Sequence, residues 1–323
     1  MLFIPEVDEL DVMWSGMPLT PEEVGKTLDI SEVYDMSHFA RKLGEIKAKT
    51  LHTLPSCSPP SSASQTANVK CNDKHLLMAC QEARLKKTAP EIDLIQQAND
   101  ISSRAHDGVM KVLGAGDTSS EYMAAAVFSY YCAKKGAKSL AYEVIAASGT
   151  NAGTLHYISN KKSFPSSGEG SLLLLDAGCE WQSYGADITR TFPVGNGGKF
   201  SQEAKDIYKL VEQMQDAAFM QIRPGTHMER LQILMHRVAA AGLLKLGILQ
   251  KPDSDVKVTD FERQDNSQDD GPPPENYQDL AKDAREEKAL IDAIVDSGIT
   301  TAFFPHGLGH ALGLDGEPPR LRC

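Results

Sequence analysis

Two apolar segments that each carry an aspartate place the strongest constraint on the fold. Residues 171–194 read SLLLLDAGCEWQSYGADITRTFPV, which predicts two β-strands joined by a short polar link. Asp176 ends the run of four leucines, and Asp187 precedes the second apolar segment. A carboxylate at the end of a buried strand is costly unless it is paired, hydrogen-bonded or bound to a metal ion. Taken singly, each acid is best explained as a turn cap or a partner of Arg190.

Histidines elsewhere in the chain supply further candidate ligands. His156 lies in TLHYISN, and His306 and His310 lie in FFPHGLGHALGLD. Oxygen ligands with one imidazole suit a divalent ion such as Mn²⁺, Co²⁺ or Fe²⁺, and two such ions can share a bridging carboxylate. The combined set therefore favours a metal site, although a lone histidine is more often structural. We assign His227 and His236, on a predicted helix, to that structural role.

The remaining pattern predicts a mixture of helices and strands. Thr88 and Glu91 form a capping box that opens a helix ending near Gly114. Further helices are predicted from about 121 to 135, 202 to 220 and 228 to 246. Residues 139–149 are strand-like, and residues 299–315 predict a strand followed by a glycine-rich turn. The apolar face of the first helix comprises Ile92, Ile95, Ala98, Ile101, Ala105, Val109 and Val112.

Composition along the chain suggests its domain organisation. Residues 1–50 predict the remnant of a small α/β region, and the Ser/Pro-rich stretch in 51–80 predicts a linker. Residues 81–323 form the main domain. Within it, residues 251–290 contain twelve acidic and six basic residues, a net charge of −6, and predict an acidic insert.

Charge and hydropathy exclude several classes of function. The formal net charge of −11 argues against nucleic-acid binding, which needs a clustered basic face. The longest apolar runs are strand-sized, far below the roughly 20 residues of a membrane-spanning helix. The acidic N-terminal segment lacks the basic region of a secretory signal, and the six cysteines show no C-x-x-C spacing. We therefore expect a cytoplasmic protein with no membrane span.

Three motifs in this chain resemble one family of enzymes. DAGCEWQSYGADITRTFP resembles the signature of the M24B metallopeptidases, the group of prolidases and Xaa-Pro aminopeptidases. ASGTNAGTLHY and FFPHGLGHALGLD resemble the preceding and following blocks of that family, in family order. The resemblance covers residues 85–250 and 297–315, with a weaker match near the N-terminus. The N-terminal segment and TLHYISN look most like the fungal-type intracellular enzymes. The resemblance implies an α+β pita-bread catalytic domain.

The resemblance also implies roles for individual residues. Asp176 would bind one metal ion, Asp187 would bridge two, and His310 would bind the other. His156 and His306 match catalytic positions: His156 would contact substrate or shuttle a proton, and His306 would lie behind the ligands. The family cleaves the bond before proline in peptides through a hydroxide bridging two divalent ions, with Mn²⁺ the expected metal. Relatives often form dimers through the N-terminal domain, so a homodimer is an open alternative.

The sequence departs from the family pattern after Asp315. The family has two further glutamate ligands and another active-site histidine downstream of the HGLGH block, and we find no counterpart here; Glu317 lies too close to His310 to be one. We therefore expect the chain to be truncated at both ends. Three of five ligands would remain, which predicts weak metal binding and little or no activity.

Alternative functions remain open at this point. Within the family, the motifs do not separate an Xaa-Pro aminopeptidase, which accepts longer peptides, from a prolidase, which cleaves dipeptides. Outside enzymes, the chain would be an inactive pita-bread binding protein. Retention of both aspartates with His156 and His310 argues against that second interpretation, because a binding module has no need of all four.

Overall fold

The computed structural model describes residues 1–55, 70–114, 120–164, 171–250 and 288–314. The chain forms two compact units, Met1–Lys86 and Lys87–Cys323. Most of the predicted acidic insert, together with Asp315 and Glu317, lies outside the described residues.

The first unit contains short helices and two pairs of parallel strands. Its helices are α1 (Glu9–Ser15), α2 (Pro21–Leu28), α3 (Phe39–Glu45) and α4 (Leu76–Leu85). Its strands are β1 (Leu2–Ile4), β2 (Val33–Asp35), β3 (Thr50–His52) and β4 (Lys70–Asn72), paired as β1 with β2 and β3 with β4. Strand β4 and the first part of α4 fall within the segment predicted as a linker.

Four helices in the described part of the second unit begin and end close to the predicted positions, and a fifth, Lys288–Asp296, was not predicted. They are α5 (Ala89–Gly114), α6 (Glu121–Lys134), α7 (Gln202–Gln221), α8 (Met228–Lys245) and α9 (Lys288–Asp296). The amide and hydroxyl of Thr88 donate to Glu91 Oε2 at 2.7 and 2.8 Å, which opens α5. The side chains of Ser120 and Ser201 cap α6 and α7, because each accepts a hydrogen bond from the backbone amide three residues further along the chain.

Two small antiparallel sheets pack against these helices. The strands are β5 (Ser139–Leu140), β6 (Ile145–Ser148), β7 (Ser171–Ala177), β8 (Cys179–Trp181), β9 (Tyr184–Gly185) and β10 (Ile188–Val194). One sheet has the order β10-β7-β6 and the other β5-β8-β9. Alternate residues of β7, namely Leu173, Leu175 and Ala177, are fully buried in the main core with α5 and α6. The other face of β7 is therefore the one that carries Asp176.

A second apolar cluster lies between α7 and α8. Gly242 permits the close approach of these helices, because a Cβ there would lie 2.2 Å from Leu210 Cδ1. Phe304 and Leu308, which flank His306, pack against this cluster. The segment containing the HGLGH motif is thus anchored to α7 and α8.

The strand predicted within residues 299–315 is not present in the part that the structure describes, residues 299–314. Residues Ile299–Ala302 form a 3₁₀ helix instead. Gly298, with φ of 75°, ends the preceding turn, and the amides of Phe303 and Phe304 donate back to the Thr300 carbonyl. The prediction was wrong because an apolar run forms a strand only when a partner strand is adjacent, and here one isolated bridge joins Leu314 to Tyr184.

Candidate metal centre

Asp176 occupies the middle strand of the three-stranded sheet, near the end of β7. The register places Thr189 of β10 opposite it on one side and Ile145 of β6 on the other. Since side chains alternate along a strand, the buried Leu175 and Ala177 point into the core while Asp176 points to the opposite face. The strand thus holds this carboxylate in a half-buried position with a fixed direction.

Gly178 brings Asp187 next to Asp176. A Cβ built on Gly178 would lie 1.7 Å from the Ala186 carbonyl oxygen, so only glycine allows the two segments to come so close. The amide of Ala186 donates to the Cys179 carbonyl at 3.0 Å, which fixes this approach. Asp187 follows Ala186 directly and therefore lies beside the end of β7.

A tyrosine that the sequence motifs did not identify joins the two aspartates. The Tyr142 hydroxyl lies 2.5 Å from Asp176 Oδ1 and 3.0 Å from Asp187 Oδ1. Tyr142 comes from the connection between β5 and β6, 34 and 45 residues away from these partners. A tyrosine in a strand-like segment is usually a packing residue, so no local signal in the sequence marks it as part of a site.

The electrostatics of this group follow from burial and from like charge. Burial raises the pKa of Asp176, and the charge of Asp187 raises it further, while hydrogen bonds from Tyr142 and Thr189 and the nearby His156 oppose the change. Burial and the two carboxylates raise the pKa of Tyr142, so its hydroxyl keeps its proton and donates. Two carboxylates this close favour a cation between them.

His310 contacts Asp187, whereas the described contacts of His306 are with Phe304 and Gln232. The His310 Nε2 lies 2.9 Å from Asp187 Oδ2, and its Nδ1 lies 3.0 Å from the Ala311 carbonyl. His306 instead stacks edge-on against Phe304, with ring centroids 4.8 Å apart. Its carbonyl accepts from Gln232 of α8 at 3.0 Å. Of the two histidines in HGLGH, His310 therefore has the better position for a ligand.

His156 lies on the exposed segment between β6 and β7. The segment begins with a 3₁₀ helix, Gly149–Gly153, and His156 itself is exposed. It lies close enough to Asp176 for its charge to lower the pKa of that carboxyl. An imidazole in this position can exchange protons with a bound molecule and with solvent.

A buried histidine, His106, hydrogen-bonds to the last residue of β7. The His106 Nε2 of α5 donates to the Ala177 carbonyl at 3.1 Å, next to Asp176 in the chain. Burial lowers the pKa of His106, so the imidazole is neutral, and it packs against Phe128 at a centroid distance of 5.1 Å. This bond fixes the backbone from which Asp176 projects.

The donor types of this site fit a divalent cation. Two carboxylates and one imidazole are the ligands that Mn²⁺, Fe²⁺ and Co²⁺ accept. Within the described ranges, however, no three or more His, Cys, Asp or Glu side chains lie close enough together to hold a metal ion. The described residues thus supply two pairs of potential metal ligands. Asp176 and Asp187 are joined through the Tyr142 hydroxyl, and Asp187 contacts His310.

Comparison with known families identifies the chain. The model of metallopeptidase family M24 matches residues 93–322, more than half of the chain. The chain belongs to metallopeptidase family M24. Residues 1–53 match a second model, that of the N-terminal domain of aminopeptidase P.

Two similar curated relatives of this M24 chain come from fungi. "Probable Xaa-Pro aminopeptidase pepP" of Talaromyces marneffei is 34% identical over 318 residues, which cover 97% of this chain and 59% of that protein. "Probable Xaa-Pro aminopeptidase" of Chaetomium globosum is 36% identical and covers 98% of this chain and 46% of that protein. The chain thus spans about half the length of these relatives.

Solved structures establish the fold. Aminopeptidase P from E. coli superposes with a TM-score of 0.76 at 25% identity, covering 99% of this chain and 66% of that one. The Pseudomonas aeruginosa aminopeptidase PepP superposes with a TM-score of 0.75 at 27% identity, covering all of this chain and 66% of that one. The expected α+β pita-bread fold of the M24 family is confirmed. Across the described ranges, no helix is both long and apolar enough to cross a bilayer.

Proposed function

We propose that this M24 chain is a metal-dependent aminopeptidase that releases the N-terminal residue from peptides with proline in second position. The observation that carries the proposal is the pairing of Asp176 with Asp187 across Tyr142, with His310 on the outer oxygen of Asp187. Divalent ions, with Mn²⁺ as the expected metal and two as the expected number, are held by Asp176, Asp187 and His310 in this proposal.

Each residue has a defined task in the proposed reaction. A divalent ion supplies Lewis acidity to the scissile carbonyl and lowers the pKa of water at neutral pH. Asp176 and Asp187 provide the negative charge that binds the cation, and Tyr142 holds both carboxylates in place. His156, exposed on the chain segment that follows β6, contacts the peptide or moves a proton to or from it. His306 supports the segment that carries His310.

The substrate class rests on the relatives. The fungal relatives are named Xaa-Pro aminopeptidases and the solved relatives aminopeptidases P. We therefore favour peptides longer than two residues over the dipeptides of a prolidase. A reducing compartment such as the cytoplasm suits the free thiols of Cys71, Cys80, Cys132 and Cys179. A homodimer remains an alternative to a monomer, and sedimentation would decide between them.

The test compares two peptides under controlled metal. The 323-residue chain, equilibrated with Mn²⁺, is incubated with Ala-Pro-Ala and with Ala-Pro, and free alanine is measured. We expect slow release of alanine from the tripeptide that stops with a chelator and in Asp187→Ala, because few donors hold the metal. Release from the dipeptide alone would favour a prolidase. Release that survives both the chelator and Asp187→Ala would contradict a metal mechanism at this site.

One observation favours a second candidate, a pita-bread protein that binds peptides without cleaving them. In the described part of the chain, the potential metal donors do not form a group of three. Saturable binding of Ala-Pro-Ala with no release of alanine at any Mn²⁺ concentration would support this candidate and contradict the enzyme.

A further inference from the structure

Glu121 is a fully buried carboxylate outside the metal centre. It is the first residue of α6, and its relative exposure is 0%. Ionised side chains are rarely buried to this degree unless their oxygens are completely hydrogen-bonded. Neither the proposed metal ligands nor the family motifs explain why an acid is kept at this position.

Five hydrogen bonds from a single stretch of chain converge on this carboxylate. Oε1 accepts from the amide and hydroxyl of Ser148, both at 2.7 Å, and from Asn151 Nδ2 at 3.0 Å. Oε2 accepts from the Tyr157 hydroxyl at 2.9 Å and the Lys162 amide at 2.8 Å. The amide of Glu121 also donates to the Lys162 carbonyl at 3.0 Å.

These bonds keep the acid ionised despite its burial. Burial raises the pKa of Glu121, but hydrogen bonds from Lys162, Ser148 and Asn151 outweigh it, so the pKa lies below its ordinary value. Hydrogen bonds to a charged acceptor are about twice as strong as those between neutral groups. A single carboxylate therefore acts as a charged centre around which the backbone is ordered.

The residues that hydrogen-bond to Glu121 lie on both sides of His156 in the sequence. They span residues 148–162, and Tyr157 is the direct neighbour of His156. A second side chain in the same segment completes the anchoring: Asn160, in a left-handed conformation, accepts from the Ala146 amide and donates to the Val144 carbonyl, both at 2.8 Å. The exposed His156 thus lies on a segment that is tied to the protein on both sides.

We propose that Glu121 is the positioning residue of His156, holding segment 148–162 so that the imidazole keeps its position in the fold. The assignment rests on the proposed function, in which His156 contacts the peptide. Glu121 acts through Tyr157, Asn151 and the backbone, and contacts no reacting atom. The structure gives this acid a task that no neutral residue performs, because the Lys162 amide and the Ser148 amide can only donate.

Glu121→Gln is the informative substitution. Glutamine has nearly the same shape, but its NH₂ group would face either the Lys162 amide or the Ser148 amide, placing donor against donor. We therefore expect segment 148–162 to lose its hydrogen bond to residue 121 at either Ser148 or Lys162. Tyr157→Phe is the milder second variant, which removes one donor to Oε2 next to His156 and leaves the carboxylate in place. Phe128→Leu, fully buried on the same helix, is the control for general destabilisation.

The first readout is amide hydrogen exchange of the folded chain. We expect exchange in residues 148–162 to accelerate by about tenfold or more in Glu121→Gln, and less in Tyr157→Phe, with the remainder of the second unit unchanged. Phe128→Leu should not single out this segment. Unchanged protection of 148–162 in Glu121→Gln would overturn the proposal.

The second readout is a double-mutant cycle on peptide cleavage. A misplaced catalytic group costs about 100-fold in rate, so Glu121→Gln should lower kcat by about this factor and His156→Ala by at least as much. The variant carrying both changes should be no slower than His156→Ala, because the effect of Glu121 passes through His156. If the fold-losses in kcat of the two single variants multiply in the double variant, the positioning role is overturned, since Glu121 would then act independently of His156.

The two readouts separate this proposal from the proposed function. If the wild-type chain cleaves no peptide, the proposed function fails, and hydrogen exchange alone decides whether Glu121 holds the segment. If cleavage is present but 148–162 keeps its protection in Glu121→Gln, the function stands and the role of Glu121 is contradicted.

Discussion

The carboxylates of Asp176 and Asp187 meet across a single hydroxyl group, that of Tyr142. The two acids are eleven residues apart in sequence; Asp176 lies in β7, and Asp187 directly precedes the antiparallel strand β10, so the β7–β10 register and the Gly178 contact bring them together. The hydroxyl is a donor within hydrogen-bonding distance of both carboxylates. This arrangement explains why a tyrosine outside every motif belongs to the site.

Tyr142→Phe should destabilise the metal-free chain. The half-buried carboxylates would lose a charge-assisted donor, which costs roughly 1–3 kcal/mol in the free energy of unfolding. Urea unfolding in a chelator measures this. The matched control is Tyr184→Phe, which removes a tyrosine hydroxyl that donates to Glu91 at 3.0 Å and not to Asp176 or Asp187. A loss no larger than that of the control would contradict the role assigned to Tyr142.

Gly178→Ala should damage both folding and metal binding. Its Cβ would overlap the Ala186 carbonyl, and the strand ends must separate, at a cost of about 3 kcal/mol or more. Asp187 would move with Ala186. Gly44→Ala is the control, since its Cβ meets no atom within 4 Å. The explanation fails if Gly178→Ala keeps the wild-type unfolding free energy and Mn²⁺ affinity.

The two histidines of HGLGH should differ in their effect on metal affinity. His310→Ala removes the imidazole 2.9 Å from Asp187 and should lower Mn²⁺ affinity by well over tenfold. His306→Ala should leave the affinity closer to that of the wild type, because His306 packs on Phe304 instead. Isothermal titration with Mn²⁺ compares them. Equal losses, or a larger loss in His306→Ala, would reverse the assignment.

Glu121 should make stability depend on acid pH. Because its folded-state pKa is lowered from 4.5, its contribution is present above this value and is lost as the pH falls through the lowered pKa. The wild type should therefore lose more unfolding free energy between about pH 6 and about pH 3.5 than Glu121→Gln does. Glu229→Gln, at an exposed position of α8, should follow the wild type. Parallel curves for wild type and Glu121→Gln would contradict the ionised state of Glu121.

Local signals in the sequence were sufficient for the long helices and the central strand pair. Thr88, Ser120 and Ser201 mark helix starts by hydrogen bonds formed within three residues, so the information lies in the sequence itself. Of the predicted apolar face of α5, Ala98, Ala105 and Val109 are fully buried, whereas Ile92 is 55% exposed. Burial at the end of a helix depends on what packs there, and periodicity does not contain that information.

The residues that organise the site could not be predicted because their partners are distant. Tyr142 and Glu121 bind groups up to 45 and 41 residues away, and only the folded chain brings these together. The predicted strand at 299–315 failed for the same reason, since an apolar run alone does not supply a neighbouring strand. The individual roles of His156, His306 and the metal ligands remain predictions that these experiments test.

The most direct test of the metal centre is a count of bound ions. The 323-residue chain, Asp187→Ala and the control Asp216→Ala, which changes an exposed acid of α7, are dialysed to equilibrium against Mn²⁺, and metal per chain is measured by elemental analysis. Our account predicts at least one ion per chain in the wild type and in Asp216→Ala, and its loss in Asp187→Ala. Equal metal content in all three proteins would contradict it.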